Sequence, residues 1–397
     1  MNVLGSGLLA VALTAVALGD NPNVAPAEAW PMARGCIAGT GASAATLRLP
    51  LAEAWHREFD GTAFGAVPVI ADGVVYLGDL DGTFRAVSLA DGADRWSFVA
   101  KDAGFPSAAA IGTAGDARLV VVGDDGGLVR AFDAATGEVR WSYGTEGEIS
   151  GGPTILETSD GPRVLIGSQD ASLSCLALAD GSVLWKHAIA DQIRCSPTVA
   201  RTSAGDRVFL AGCDGKLHVI DAATGDETAA VPIDGPTGTT PAVLGDRVFF
   251  GTEGGVFFAI DVVAGKEAWR AAATASGQSY RSSAAVADDL AIVGFRGKAV
   301  EAFATADGTR PWRRPMRGRV EASPAVASAT GPGDAQARLV AIVADASGRI
   351  AALEAASGEP VWEFDAGGGF GAGAAVAAGR VVLASDDGIL WCFRSGD

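Results

Sequence analysis

Short apolar runs recur along the whole chain, and polar turns that contain glycine separate them. Between Trp185 and Gly225 the runs are Ile193–Val199, Arg207–Gly212 and Lys216–Asp221. Runs rich in β-branched and aromatic residues, separated by Asp-Gly or Thr-Gly turns, are typical of antiparallel strands joined as a meander. Glycine supplies the positive φ that such turns need, which accounts for 54 glycines in a chain of 397 residues. The pattern predicts an all-β protein.

Tryptophan marks one strand of each repeat. Seven of the nine tryptophans share one register, with steps of 41, 45, 44, 84, 43 and 50 residues: Trp55, Trp96, Trp141, Trp185, Trp269, Trp312 and Trp362. The step of 84 is a doubled step, and Ala229 stands at the missing tryptophan position. The period is therefore about 44 residues, the length of a four-stranded propeller blade.

The preceding strand of each repeat carries two aligned columns. The first column holds a small residue: Ala86, Ala131, Cys175, Val219, Ala259, Ala302, Ala352 and Cys392. The next position holds a larger apolar residue: Val87, Phe132, Leu176, Ile220, Ile260, Phe303, Leu353 and Phe393. Each column has eight members, which predicts an eight-bladed β-propeller of four-stranded antiparallel blades whose faces interdigitate.

The two ends of the chain predict how the ring closes. The last repeat ends at Asp397 before a tryptophan strand, whereas residues 51–59 form a tryptophan strand that has no inner strands of its own. We expect this N-terminal strand to complete the last blade, because closure removes an exposed sheet edge. The chain then divides into a signal-peptide-like segment at 1–29, an N-terminal extension at 30–50 and the propeller at 51–397.

An uncharged apolar run, Val3–Leu18, precedes small-x-small sites ending at Ala17, Ala27 and Ala29. A run of this length is short for a membrane span and suits a signal peptide. No Lys or Arg precedes it, which leaves an uncleaved anchor or cytosolic retention as alternatives. The sequence favours a protein exported to the periplasm or the extracellular space, with no transmembrane domain in the mature chain.

Composition narrows the partners and the cofactors. The net charge is −17, and no basic stripe is present, so nucleic acid is not an expected partner. His56, His187 and His218 fall on separate strands without a Cys-x-x-Cys motif, so we expect no metal site of the zinc type. Cys195 and Cys213 lie in one repeat, where either free thiols or a disulfide would fit.

The candidate binding residues come from a column at the start of the inner strands. It reads Gly65, Pro106, Ser150, Arg194, Gly238, Arg281, Glu321 and Gly371. Among these mostly small residues Arg194, Arg281 and Glu321 stand out, and they are placed to converge at the mouth of the central channel. They could hold an anion or a carboxylate there. The alternative is that the three side chains pair with one another and plug the channel.

One repeat reads Asp-Gly-Gly-Leu-Val-Arg-Ala-Phe-Asp-Ala-Ala-Thr-Gly-Glu-Val-Arg-Trp from Asp125 to Trp141. It resembles the pyrroloquinoline-quinone-like (PQQ-like) propeller repeat, found in the outer-membrane assembly lipoprotein BamB, in quinoprotein dehydrogenases and in many exported bacterial proteins. The segment Trp30-Pro-Met-Ala-Arg34-Gly is similar to a Trp-Pro-x-x-Arg-Gly segment that precedes the ring in many exported members. The resemblance covers about residues 51–397.

The resemblance to the BamB branch implies a non-catalytic scaffold for a protein or peptide partner, which we expect to be a monomer without cofactor. The only upstream cysteine, Cys36, has no lipidation motif before it. The resemblance to the dehydrogenase branch would instead imply an adjacent Cys-Cys pair over the quinone, calcium ligands and a catalytic Asp. The chain has no Cys-Cys pair. A small-molecule or anion-binding propeller is the alternative, and a PQQ-dependent oxidoreductase is the less favoured one.

Overall fold

The computed structural model describes residues 24–202, 205–274 and 278–396. The apolar run Val3–Leu18 lies outside these ranges. Two strands precede the repeats, β1 (Ala42–Arg48) and β2 (Ala52–Glu58). No helix among the described residues is long and apolar enough to cross a membrane.

The first four blades use sixteen consecutive strands. Blade one is β3 (Val69–Ala71), β4 (Val74–Gly78), β5 (Thr83–Ser88) and β6 (Asp94–Val99). Blade two is β7 (Ala110–Ala114), β8 (Ala117–Gly123), β9 (Leu128–Asp133) and β10 (Val139–Gly144). Blade three is β11 (Thr154–Leu156), β12 (Arg163–Gly167), β13 (Ser172–Ala177) and β14 (Val183–Ala188). Blade four is β15 (Thr198–Thr202), β16 (Gly205–Ala211), β17 (Lys216–Asp221) and β18 (Glu227–Pro232).

The remaining blades continue the same order. Blade five is β19 (Ala242–Leu244), β20 (Arg247–Gly251), β21 (Val256–Asp261) and β22 (Lys266–Ala272). Blade six is β23 (Ala285–Ala287), β24 (Leu290–Phe295), β25 (Ala299–Ala304) and β26 (Trp312–Pro315). Blade seven is β27 (Ala325–Thr330), β28 (Arg338–Ala344), β29 (Arg349–Glu354) and β30 (Pro360–Asp365). Blade eight has β31 (Ala375–Ala377), β32 (Arg380–Ala384) and β33 (Ile389–Arg394).

The predicted eight-bladed ring and its closure are confirmed. Strand β2 pairs antiparallel with β33 and supplies the outer strand of blade eight, so that sheet reads β2-β33-β32-β31. Trp55 stands opposite Cys392 in this pairing, as the aligned columns require. The first strands of neighbouring blades contact one another, which places them around the central axis.

The small column is explained by its cross-strand neighbour. Seven of the eight column residues lie directly opposite the tryptophan of the outer strand, for example Ala86 opposite Trp96 and Cys175 opposite Trp185. Directly opposite side chains on one face of an antiparallel pair are close enough to compete for space. A bulky indole therefore requires a small partner. In blade four the larger residue stands in the small column, where Val219 lies opposite Ala229 at the tryptophan position.

Most of these tryptophans also join their blade to the next one. Six of them donate an indole Nε1 hydrogen bond of 2.8 to 3.2 Å to a backbone carbonyl of the following blade; the acceptors are Leu89, Ala134, Leu178, Ala222, Thr305 and Ala355. Each of these rings also lies against the glycine of the following blade's outer turn. A Cβ atom at that glycine would stand 2.5 to 2.9 Å from the ring.

Blade four shows how a blade interface packs when the tryptophan side chain is missing. Ala229 occupies the tryptophan position, and a Cβ atom at the corresponding turn glycine of blade five, Gly265, would have nothing within 4 Å. Phe250 and Phe258 stack at 5.7 Å in the same apolar cluster as Ala229. Aromatic residues of blade five thus pack in this interface, while the space beside Gly265 stays open.

This contrast yields a matched pair of substitutions. Gly225 and Gly265 both have positive φ, +81° and +62°, so alanine costs about 1 kcal/mol of backbone strain at either. At Gly225 the new Cβ would also lie 2.7 Å from the Trp185 ring, which adds about 1–3 kcal/mol of overpacking. We expect Gly225→Ala to lower the urea midpoint of unfolding clearly more than Gly265→Ala. Equal losses would contradict this role of the tryptophan.

The N-terminal extension lies inside the ring. Strand β1 pairs parallel with β27, the inner strand of blade seven, and makes that sheet five-stranded. Ahead of β1, carbonyl groups of the extension accept hydrogen bonds from inner-strand N–H groups of blades one, two, four, five, six and seven; the donors are Ile70, Ile111, Val199, Val243, Val286 and Val326. Since the free edge of an inner strand faces the axis, the extension fills the channel and satisfies edges that would otherwise be open.

Candidate functional site

All eight members of the column predicted at the channel mouth line one pocket, whose volume is about 190 Å³. Arg194, Arg281 and Glu321 are among them, together with the small residues of the other blades. The pocket is closed below by the N-terminal extension, of which Ala33 and Arg34 reach its lining. The structure therefore brings the three predicted residues to one site.

Each of the three side chains contacts a nearby polar residue. Arg194 donates from Nε and Nη2 to Oε1 of Gln192, at 3.0 and 2.6 Å. Nη2 of Arg281 lies 3.4 Å from Oε1 of Glu253. Among the contacts of the described residues, the three do not pair with one another, so the alternative that they plug the channel by mutual pairing is wrong.

Glu321 belongs to a small group of charges on one side of the mouth. Its Oε1 lies 2.7 Å from Nε of Arg296. Asp386 of blade eight accepts a hydrogen bond from the Gly371 N–H at 2.8 Å. Burial raises the pKa of Asp386, and Asp387 and Glu321 raise it further, although the Gly371 N–H opposes the shift. The mouth thus has an acidic side, opposed by the exposed Arg194 and Arg281.

Arg34 is the residue of this site that the sequence interpretation missed. It is only 3% exposed, and its Nη2 donates to the carbonyl oxygens of Ala284 and Pro324, at 2.9 and 2.8 Å. Burial lowers its pKa to about 10, partly offset by Cys36. A signal was present, since Arg34 is the only charged residue in the stretch from Ala29 to Leu47.

The position of Arg34 depends on one glycine. A Cβ at Gly41, which has a φ of +65°, would collide with the Arg34 guanidinium. The guanidinium spans the inner strands of blades six and seven through the two carbonyl groups it binds. Its Nε and Nη1 have no hydrogen-bond partner among the described residues. Arg34 thus carries a buried positive charge to the floor of the pocket.

Five arginines lie between residues 310 and 319. Arg310 and Arg313 lie 3.6 and 3.4 Å from the carboxylate of the buried Glu301, and Arg317 pairs with Asp365 at 2.9 Å. Cys195 and Cys213 carry free thiols, and the first is buried. Burial raises the pKa of Cys195 to about 12, which makes it an unreactive core thiol at neutral pH.

A second cavity, of about 260 Å³, opens between blades six and seven on the opposite face. Its charged lining residues are Asp288, Asp289, Arg338 and Glu354. Arg338 is engaged by Asp334 and lies 3.5 Å from Glu354. Burial, followed by the neighbouring Asp289, raises the pKa of Asp288. Arg338, the cationic side chain of this cavity, is thus already paired with acidic residues. We therefore place the candidate site at the channel mouth.

The channel-mouth residues do not fit pyrroloquinoline quinone. None of the described residues that line the pocket is aromatic or a cysteine, so nothing there can stack on the two faces of a quinone. The acidic side chain Glu321 is held by Arg296. The space farther along the axis is filled by the chain's own extension. The mouth therefore lacks the surfaces that a bound quinone would need.

The fold and the pocket define a closed eight-bladed propeller with an occupied channel and one small polar mouth. The sequence profile of the family described as outer membrane protein assembly factor BamB matches residues 52–148, 125–203, 169–331 and 296–397. The chain belongs to this family. No curated protein is significantly similar to it in sequence.

Solved structures show the same fold. BamB from Moraxella catarrhalis has a TM-score of 0.64 at 18% identity, with 87% of this chain and 99% of that chain covered. Quinohemoprotein alcohol dehydrogenase from Comamonas testosteroni has a TM-score of 0.71 at 14% identity, with 94% and 82% covered. A europium-containing methanol dehydrogenase has 0.72 at 11%, with 95% and 99% covered. At these identities the likeness concerns the fold alone.

The contacts of Arg34 and Arg194 predict different effects of the two side chains on stability. In Arg34→Ala the carbonyl groups of Ala284 and Pro324 lose a charged donor, and we expect a loss of about 2–3 kcal/mol in unfolding free energy. Arg194→Ala removes an exposed side chain and should change stability by no more than about 0.5 kcal/mol. Urea unfolding of both variants checks this. An Arg34→Ala protein as stable as the parent would contradict the assignment.

Proposed function

We propose that the protein is an exported, non-catalytic scaffold that binds a protein or peptide partner at the channel mouth. The observation that carries the proposal is the size and closure of the pocket. Small-molecule sites usually enclose about 300–1,000 Å³, whereas this pocket has about 190 Å³ and a floor made of the chain itself. Such a depression accepts one side chain or a chain terminus of a larger partner.

The chemistry of the mouth suits an acidic group on that partner. Arg194 and Arg281 are exposed, and a guanidinium binds carboxylate with two parallel hydrogen bonds. The Gln192 amide and the 3.4 Å contact with Glu253 are weak competitors for them. Membership of the BamB family supports a role in which a propeller acts by contact with other proteins.

Site-specific photo-crosslinking in the source cells tests the proposal. A photoreactive residue at Ser150, in the mouth, should give a discrete protein adduct, and one at Val263, 78% exposed at a turn of the opposite face, should not. The adduct from Ser150 should weaken several-fold in the Arg194→Ala, Arg281→Ala double variant, because the partner's carboxylate loses its donors. An adduct from Val263 alone, or one unaffected by the double variant, would place the partner elsewhere.

Export is part of the proposal, and the structure favours one of the three candidate cleavage sites. Ala25 is buried and exchanges backbone hydrogen bonds with Ala42 and Ala44, both at 2.9 Å. The carbonyl of Ala27 accepts a 2.7 Å bond from Ala378 of blade eight. Cleavage after Ala27 or Ala29 would remove these contacts, whereas cleavage after Ala17 keeps them.

We therefore expect the exported form to begin upstream of Ala25. N-terminal sequencing and intact mass of the protein recovered from the periplasm measure this directly. A mature chain that begins at Glu28 or Trp30 would show that residues 25–27 are dispensable for the folded ring. Recovery of the uncleaved chain in the cytosol alone would contradict export itself.

A further inference from the structure

A cluster of metal-ligating side chains lies between blades three and four, away from the channel mouth. It consists of His187 on β14, His218 on β17 and Glu227 on β18. One ligand atom from each of these residues lies within 4.8 Å of the other two. Two of the three histidines in the chain meet here, although 31 residues separate them in the sequence.

His218 is the centre of the cluster and is almost fully buried. Its Nδ1 lies 2.6 Å from Oε2 of Glu227, and its Nε2 lies 3.1 Å from Oδ2 of Asp214. A neutral imidazole has one N–H and one lone pair, so it can donate to only one of these carboxylates. The nitrogen that keeps its lone pair is then available as a metal ligand.

His187 brings a third ligand atom to the cluster. Its Nε2 lies 3.7 Å from the same oxygen of Glu227, beyond hydrogen-bonding distance. A metal ion at the centre of the three ligand atoms would be bound by both imidazoles, whose ring centroids lie 6.4 Å apart. Bonds of about 2.0–2.1 Å to a tetrahedral zinc ion hold ligand atoms about 3.3 Å apart. The 2.6 Å separation of His218 and Glu227 would therefore have to widen, and the 3.7 Å separation of His187 and Glu227 to shorten, each by less than about 1 Å.

Asp214 adds a feature typical of metal sites. A histidine that ligates metal through one nitrogen usually donates its other N–H to a carboxylate, which fixes the tautomer and the ring orientation. Asp214 is 4% exposed and faces Nε2 of His218, leaving Nδ1 for the metal. In blades one and two the position of His218 is held by Arg85 and Arg130, each paired with an aspartate of its preceding turn. Blade four has His218, a side chain that can bind metal, in place of that permanent cation.

We propose that His187, His218 and Glu227 bind a zinc ion and that Asp214 orients the His218 ring. The two nitrogens and one carboxylate leave the fourth position of a tetrahedral ion open to water. Glu227 is 36% exposed and His187 is 17% exposed, so the site is reachable from solvent. The ion would join blade three to blade four, the blade whose outer strand lacks tryptophan. This proposal is independent of partner binding at the channel mouth.

The test is titration of the chelator-treated full-length protein with zinc by calorimetry, and with cobalt as a spectroscopic probe. We expect one zinc per chain, a rise in Tm on zinc addition and the visible absorption of tetrahedral cobalt. His187→Ala and Glu227→Gln should each weaken zinc binding at least about tenfold, and Asp214→Asn by about 10–100-fold. His187 is only partly buried, so its variant should fold as the parent does.

His56→Ala is the matched control, because His56 contacts Glu53 and Trp391 in blade eight. It should leave zinc affinity and the cobalt spectrum unchanged. The proposal is overturned if the parent binds no zinc, or if zinc binding survives in His187→Ala and Glu227→Gln. Loss of binding in His56→Ala would also overturn it, since the site would then lie in another blade. Circular dichroism of each variant without metal separates loss of a ligand from loss of the fold.

Discussion

The packing of one tryptophan against the next blade is the interaction on which the ring depends. Six of the seven indoles are fitted by a small residue opposite, a carbonyl of the following blade that accepts the Nε1–H, and a turn glycine that the ring covers. The three requirements come from two different blades. Because these requirements recur along the chain, neighbouring blades can pack in only one register. Strand β2 completes blade eight and so closes the propeller.

What could be predicted from the sequence is what repeats. The blade number, the outer tryptophan strand, the small column and the closing strand each recur or complete a recurring pattern, and the structure confirms them. Features that occur once had no periodicity to reveal them. The course of the N-terminal extension through the channel, Arg34 at the pocket floor, and the meeting of His187 with His218 all depend on contacts between distant segments.

The candidate site was predicted in position, but its electrostatics were not. The column before the inner strands does converge on one mouth, because equivalent positions of all blades face the axis. The partners of its charged residues come from turns of the same or the preceding blade, at Gln192, Glu253 and Arg296, and those turns lie outside the column. A column compares equivalent positions, so it cannot show which neighbour each side chain contacts.

The N-terminal extension occupies the channel of this propeller. The direct test of whether this leaves room for a quinone is calorimetric titration of the purified protein with pyrroloquinoline quinone, with and without calcium, alongside an assay of dye reduction. We predict no saturable heat and no activity, because the extension fills the axis and the mouth offers no surface on which a quinone can stack. Saturable, calcium-dependent binding would contradict this prediction and would make the channel a cofactor site.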